Sequence, residues 1–287
     1  MEYLLDPFLN NSFMMRALLA GVLVSAACAV VGTFVVLRGL AFIGDALAHG
    51  VLPGIAGAIL LGLPGMLGAA VGAVVMIGGV SLVTRKSRLS SDTAIGLFFV
   101  AMLALGVVMI SASDAFQGDL VAILFGQILG TSWEQVAIML VATVLVVVVS
   151  TLAARPFMLL SFDPEQADVA GFPSRRYHVL MLLLVALTVV VAFQTVGTLL
   201  VFGMLLAPAA SGALLANRIS SMMIIAGVIG SASTYVGLLL SYWFDLAAGA
   251  MIVLVAVSVF FVVMAVTGMR ETNDHVGTTD PTGETLS

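Results

Sequence analysis

Polar residues punctuate this chain at wide intervals, and between them lie apolar runs of one recurring length. The runs fall near 14–37, 41–62, 64–84, 93–112, 134–154, 177–194, 196–216, 221–242 and 246–267. A helix needs about 20 apolar residues to cross a hydrocarbon core ~30 Å thick. The pattern therefore predicts an all-α, polytopic transmembrane helical bundle of about nine spans over 14–267. The sixth and seventh runs abut at Gln194 and Thr195, and the count is eight if they form one helix. Leu120 to Gly130 is apolar but too short to cross, and reads as a re-entrant or interfacial helix.

The basic residues orient these spans. In a nine-span chain Arg38, Arg85, Lys86, Arg88, Arg155, Arg175, Arg176, Arg218 and Arg270 share one side, and only Arg16 takes the other. The positive-inside rule makes the crowded side cytoplasmic. The N-terminus, 1–13, is then extracytoplasmic, the loop 155–176 cytoplasmic and the loop 113–132 external. Trp133, Tyr242 and Trp243 fall at outer span ends, where an aromatic belt belongs. Asp114, Asp119, Glu134 and Asp245 lie on the same outer side. The polar stretch 268–287 lacks an apolar period and is expected to be a disordered cytoplasmic tail.

Composition agrees with this class and removes others. The chain is 62% hydrophobic and 9% charged, against about 25% charged in soluble domains. Its single cysteine, Cys28, excludes an intrachain disulfide. Residues 1–11 lack the basic start of a cleaved signal peptide. Its only lysine, Lys86, has no glycine-rich lead of a phosphate-binding loop, so ATP chemistry would need another subunit. Neither an HExxH nor a GxSxG pattern occurs. No nucleic-acid partner is expected.

Two stretches carry chemistry. The first holds Asp45 and His49, four residues apart in the second span, which puts both on one helix face. Counting from Leu40 at ~1.5 Å per residue, Asp45 is ~8 Å deep and His49 ~14 Å deep. A charge near the midplane costs on the order of 3 kcal/mol, so such residues need a partner or a task. They either bond each other or backbone inside a packed bundle, or act as oxygen and nitrogen ligands for a divalent metal. Gly50, Pro53 and Gly54 follow and would loosen or break the helix, which is tolerated where it lines a cavity. His178, at the cytoplasmic edge of the sixth span, and His275 in the tail have no such partner nearby. Both are expected to be solvated.

The second stretch runs from Ser161 to Pro173. Asp163 suits an N-cap, Pro164 the first helical position and Glu165 the first turn. Gly171 suits the residue after the C-cap, and Pro173 stops the helix. The result is a short, capped cytoplasmic helix near 163–171. It is either an ordinary surface helix or a docking element for a soluble partner.

These stretches also carry a resemblance. Phe42-Ile43-Gly44-Asp45-Ala46-Leu47-Ala48-His49-Gly50-Val51-Leu52-Pro53-Gly54 resembles the signature of permease subunits of manganese, zinc and iron ABC importers. Phe162-Asp163-Pro164-Glu165-Gln166-Ala167, followed by Gly171, is similar to their cytoplasmic coupling helix. Val196 to Ala210 resembles a later transmembrane signature. The three lie in the family's order and cover about 10–268.

The resemblance implies a type II-like importer fold in a prokaryotic cell membrane. It implies two permease subunits, a cytoplasmic ATP-binding subunit on each and an extracytoplasmic metal-binding protein. It implies that Asp45 and His49 are metal ligands at the dimer axis. It assigns Phe162, Asp163, Glu165, Ala167 and Gly171 to ATPase docking. Metal would be cargo, with no permanently bound cofactor and no enzymatic activity in this chain. Since imidazole must be neutral to ligate, uptake would weaken in acid. A permease for a metal chelate or vitamin would not need the intramembrane pair. An ion-coupled secondary transporter would leave the capped helix unused.

Overall fold

A computed structural model describes residues 7, 8, 10–87, 89–111 and 128–277, apart from the side chains at 85, 91, 194, 195, 198, 199 and 270–277. Asp114, Asp119, Arg88, the first eight residues of the expected re-entrant helix and the last ten of the tail lie outside the described residues.

All described elements are helical. In order they are α1 Ser12–Leu37, α2 Ala41–Gly50, α3 Leu52–Leu60, α4 Gly65–Lys86, α5 Ser91–Ser111, α6 Trp133–Leu152, α7 Ala154–Phe162, α8 Pro164–Val169, α9 Ser174–Leu215, α10 Ile219–Phe244 and α11 Ala248–Gly277. A single 3-10 turn, Ile128–Gly130, precedes α6. Eight helical stretches have the length and hydropathy to cross a membrane, α2 and α3 together forming one of them. The last helix does not stop near 267 but continues to Gly277.

The centre is α1. It is apolar all round, which suits a helix buried on every side. Ala17, Ala20, Cys28, Phe34 and Val35 are at most 1% exposed. It packs against α6, α9 and α10. In lipid there is little hydrophobic force between helices, so close approach depends on small residues. Gly54 of α3 and Gly68 of α4 touch backbone to backbone, and a Cβ at either would overlap the other's carbonyl oxygen.

The decisive feature is α9. Its 42 residues would make a straight rod of ~63 Å, twice a hydrocarbon core. Gly197 breaks it, with φ 77° and ψ 165°. That region is essentially closed to residues bearing a Cβ. Neighbours fix the direction of each arm. His178, in the first arm, meets Arg38 at the end of α1. Helix α10 runs antiparallel to α1: Thr234 packs on Gly21, Gly230 on Ser25 and Gly227 on Ala29. The start of α10 therefore lies at the Arg38 end too, and Gly212 of the second arm packs on Met222 there. Both ends of α9 lie on one side, so the chain folds back at Gly197. The second arm's apolar helix, Leu200–Leu215, is ~24 Å long, short of a full crossing.

This retains the in–out parity of nine passages with eight helices of spanning length among the described residues. It also keeps Arg38, Arg155, Arg175, Arg176 and Arg218 at one end, opposite the exposed Trp133, Tyr242 and Trp243.

The fold-back is checked by cysteine labelling. Val169→Cys and Asn217→Cys, flanking α9, are expected to react with an impermeant maleimide only from the cytoplasmic side, and Leu246→Cys only from outside. Reaction of 169 and 217 from opposite sides would mean a single crossing. Gly197→Ala is expected to cost about 1–3 kcal/mol of stability, read as a lowered midpoint of thermal unfolding in detergent.

Candidate metal site and cytoplasmic docking helix

A tight turn at Arg38 and Gly39 ends α1 and starts α2. One helical turn then separates Asp45 from His49, and Asp45 Oδ1 stands 3.4 Å from His49 Nε2. The side chains are 32% and 20% exposed respectively. His49 Nδ1 is buried and has no hydrogen-bond partner. Phe99 of α5 meets the imidazole edge to face at 5.5 Å. The carboxylate opens onto a groove of about 480 Å³ between α2 and α5, lined by Phe42, Ala46, Asp92, Gly96 and Phe99 among others.

The expected interruption after His49 is small. Only Val51 separates α2 from α3, its backbone stays in the right-handed helical region, and Val51 N–H still donates to Leu47 C=O at 3.1 Å. Pro53 has no N–H to offer the carbonyl four residues back, which is that of His49. The helix is loosened at the histidine without a gap. Gly50 packs on Met76 of α4, where a Cβ would stand 3.2 Å from Met76 Cγ. Gly44 packs on Leu205 in the second arm of α9.

Asp45 and His49 are both retained as an intramembrane pair, but they remain a pair. Among the described residues, no third His, Cys, Asp or Glu joins them in a group that could hold a metal ion. Asp92, which the sequence reading passed over, shares Asp45's groove from the first turn of α5. The only sequence signal was an acid following the basic end of α4.

His178 is a correction. It is not freely solvated: its Nδ1 accepts from Arg38 Nη1 at 2.6 Å. The ends of α1 and α9 converge, which no local pattern around His178 reveals.

The capped helix forms as α8. The Asp163 carboxylate accepts from the backbone N–H of Glu165 at 2.9 Å and of Gln166 at 3.2 Å. Gly171 takes φ 83°, and the N–H of Phe172 donates to Ala167 C=O while that of Gly171 donates to Asp168 C=O. Those two bonds make a Schellman stop. The Asp168 carboxylate accepts from the N–H and Oγ of Ser174 at 2.7 and 2.8 Å, tying α8 to α9. These bonds hold the Asp168 carboxyl below the usual carboxylate range. A depressed pKa means the tie is fully present above the ordinary Asp pKa and is lost only as pH falls below it.

The surface of this element differs in part from the sequence expectation. Phe162 is 74% exposed and Glu165 is exposed. Ala167 is 1% exposed and faces inward. Asp163 and Gly171 act as caps. The most exposed apolar side chain is Val169, at 91%, which lay outside the motif.

The family model for the ABC 3 transport family matches residues 10–267. The chain belongs to that family. The manganese transport system membrane protein MntC of Listeria monocytogenes is 38% identical over 258 residues, covering 90% of this chain and 92% of that protein. A protein of Haemophilus influenzae named as a probable iron transport system membrane protein is 36% identical over 269 residues, covering 94% and 98%. Among solved structures, PsaBC from Streptococcus pneumoniae in complex with Fab superposes with a TM-score of 0.81 at 34% identity, covering 91% of this chain and 94% of that one. The resemblance carried by the three motifs is thereby met at the level of the family. As a member of the ABC 3 transport family with eight span-length helices, this is a multi-pass membrane protein.

The cap of α8 generates a prediction for this family member. Gly171→Val forces a β-branched residue into the left-handed region and is expected to cost on the order of 1 kcal/mol or more locally. Amide hydrogen exchange at Ala170 and Phe172 is expected to quicken while the membrane helices keep their protection. Unchanged exchange at those amides would show that the turn does not depend on glycine.

Proposed function

We propose that this chain is the membrane-spanning subunit of an ATP-driven importer of a divalent transition metal such as manganese, iron or zinc. The carrying observation is the Asp45–His49 pair, 3.4 Å apart on an intramembrane helix and too small a ligand set for one chain. A carboxylate oxygen and an imidazole nitrogen suit first-row divalent ions. Two ligands bind weakly, whereas two copies of the chain would supply four, a plausible coordination set. The site is therefore read as shared across a pair of permease subunits.

The remaining parts follow from what the chain lacks and exposes. It has no phosphate-binding loop of its own, so a separate cytoplasmic subunit hydrolyses ATP. Helix α8, capped at both ends and flanked by exposed Phe162 and Val169, is its docking element. An extracytoplasmic binding protein delivers the metal to the outer face. Closure of the ATPases moves α8 and switches the path from outward- to inward-facing, releasing metal to the cytoplasm. Named relatives that carry manganese or iron agree with a carboxylate–imidazole set that serves either ion.

The test is metal accumulation in cells lacking the native chain. Asp45→Asn keeps size but removes charge; His49→Ala removes the nitrogen ligand and leaves a good helix former. At matched membrane levels each variant is expected to reduce accumulation to that of cells without the chain, because a paired site loses two of four ligands at once. Near-normal accumulation by both would reduce the pair to a packing feature. Val169→Asp places a charge on the docking face and is expected to abolish transport-stimulated ATP hydrolysis with membrane insertion intact. Normal stimulation would remove α8 from that role.

A further inference from the structure

We propose that the cleft between α4 and the first arm of α9 binds one anionic phospholipid of the cytoplasmic leaflet, with its phosphate on Arg175 and an acyl chain inside. The cleft has about 290 Å³ of open space, near the lower end for ligand pockets of about 300–1,000 Å³. Its wall is apolar, with Ile43 of α2, Val80 and Leu82 of α4, Ile95 of α5 and Leu182 of α9. At its cytoplasmic end stand Arg175 and His178. Arg175 lies in the first turn of α9, and Leu182 is two turns deeper, ~10 Å further into the membrane. Charge outside and hydrocarbon inside, along one axis, is the polarity of a phospholipid.

The mouth of the cleft continues into an uncovered face of α4. Val71, Val75, Gly78 and Leu82 share one stripe of α4. The three side chains are 60%, 49% and 51% exposed, and a Cβ at Gly78 would meet nothing within 4 Å. That stripe leads along the helix to the mouth.

The mouth carries positive charge. No acid pairs with Arg175 among the described residues. Arg38, held by His178 at 2.6 Å, adds a second cation beside it, and Arg176 a third in sequence. Of the acids on the cytoplasmic side, Asp168 is engaged by Ser174, and Asp92 lines the groove of Asp45. Basic pockets between membrane helices on the cytoplasmic side recognise anionic headgroups in this way. Ile43 stands two residues before Asp45 on α2, so an occupied cleft would brace the helix that carries the metal pair. The lipid site does not depend on the metal reading, and its test reads binding, not transport.

The experiment uses the purified complex, with its ATPase, in neutral detergent. Phosphatidylglycerol, phosphatidylcholine of the same acyl chains and inorganic phosphate are titrated, with bound lipid counted by native mass spectrometry. One phosphatidylglycerol per chain is expected to bind. Arg175→Gln, a surface change, is expected to weaken it about fivefold, the effect of one basic residue near an anionic headgroup. Gly78→Leu, which fills the mouth from the open side, is expected to block it. Equal binding by wild type and Arg175→Gln, or equal binding of phosphatidylcholine, would overturn the proposal. So would inorganic phosphate competing at millimolar concentration, which would mark a free-anion site, or unaltered binding by Gly78→Leu.

Discussion

A carboxylate and an imidazole inside an apolar span have to be held by something, and water is not at hand to do it. In this chain the helix supplies the spacing and the neighbours supply the walls. Asp45 and His49 meet across one turn at 3.4 Å. Phe99 closes one side of the ring, and Gly44 lets the second arm of α9 press on the back of the same helix. The pair remains open toward the groove shared with Asp92, and His49 Nδ1 keeps an unfilled hydrogen-bonding need. A purely structural pair would be expected to satisfy both nitrogens, since an unpaired buried polar atom costs about 1–3 kcal/mol.

The site's position depends on the fold-back at Gly197. Were α9 a single rod, Leu205 would stand far from α2, and nothing would back Gly44. Because the chain reverses, Leu205 touches both Gly32 of α1 and Gly44 of α2. One glycine with φ 77° thus sets the packing behind the helix of Asp45 and His49 as well as the side on which the C-terminal half begins.

Much of this was legible in the sequence because membranes impose so few options. Apolar runs of one length could only be helices, and the arginines could only gather on one face. The Asp-His spacing and the caps of α8 were equally local, which is why they were readable. What escaped was whatever depends on distant segments meeting. The break in α9 falls at Gly197 rather than at the polar Gln194 and Thr195, because the backbone there demands a glycine, not a hydrophilic residue. His178 looked solvated because Arg38, its partner, belongs to another helix. The contiguous motif gave no sign that Ala167 turns inward, as one side of a six-residue helix must. Val169 ends α8 and turns outward, a direction that six residues are too few to reveal by periodicity.

The same distant contacts join α8 to the helix of Asp45 and His49. Phe172, just past α8, meets Tyr177 of α9 at 5.7 Å; Tyr177 meets Phe157 of α7 at 6.3 Å; Phe157 meets Phe34 of α1 at 5.2 Å, all edge to face. Two residues before Phe34, Gly32 rests on the backbone of Leu205, and the side chain of Leu205 rests on Gly44, the neighbour of Asp45. Packed interiors shift between discrete arrangements rather than stretching. A displacement of α8 that left α2 unmoved would have to part at least one of these contacts. The route combines ring contacts, a short step of α1 backbone and the two faces of Leu205, and it runs from α8 to the helix of Asp45. A displacement of α8 and a displacement of α2 therefore act on one packed body.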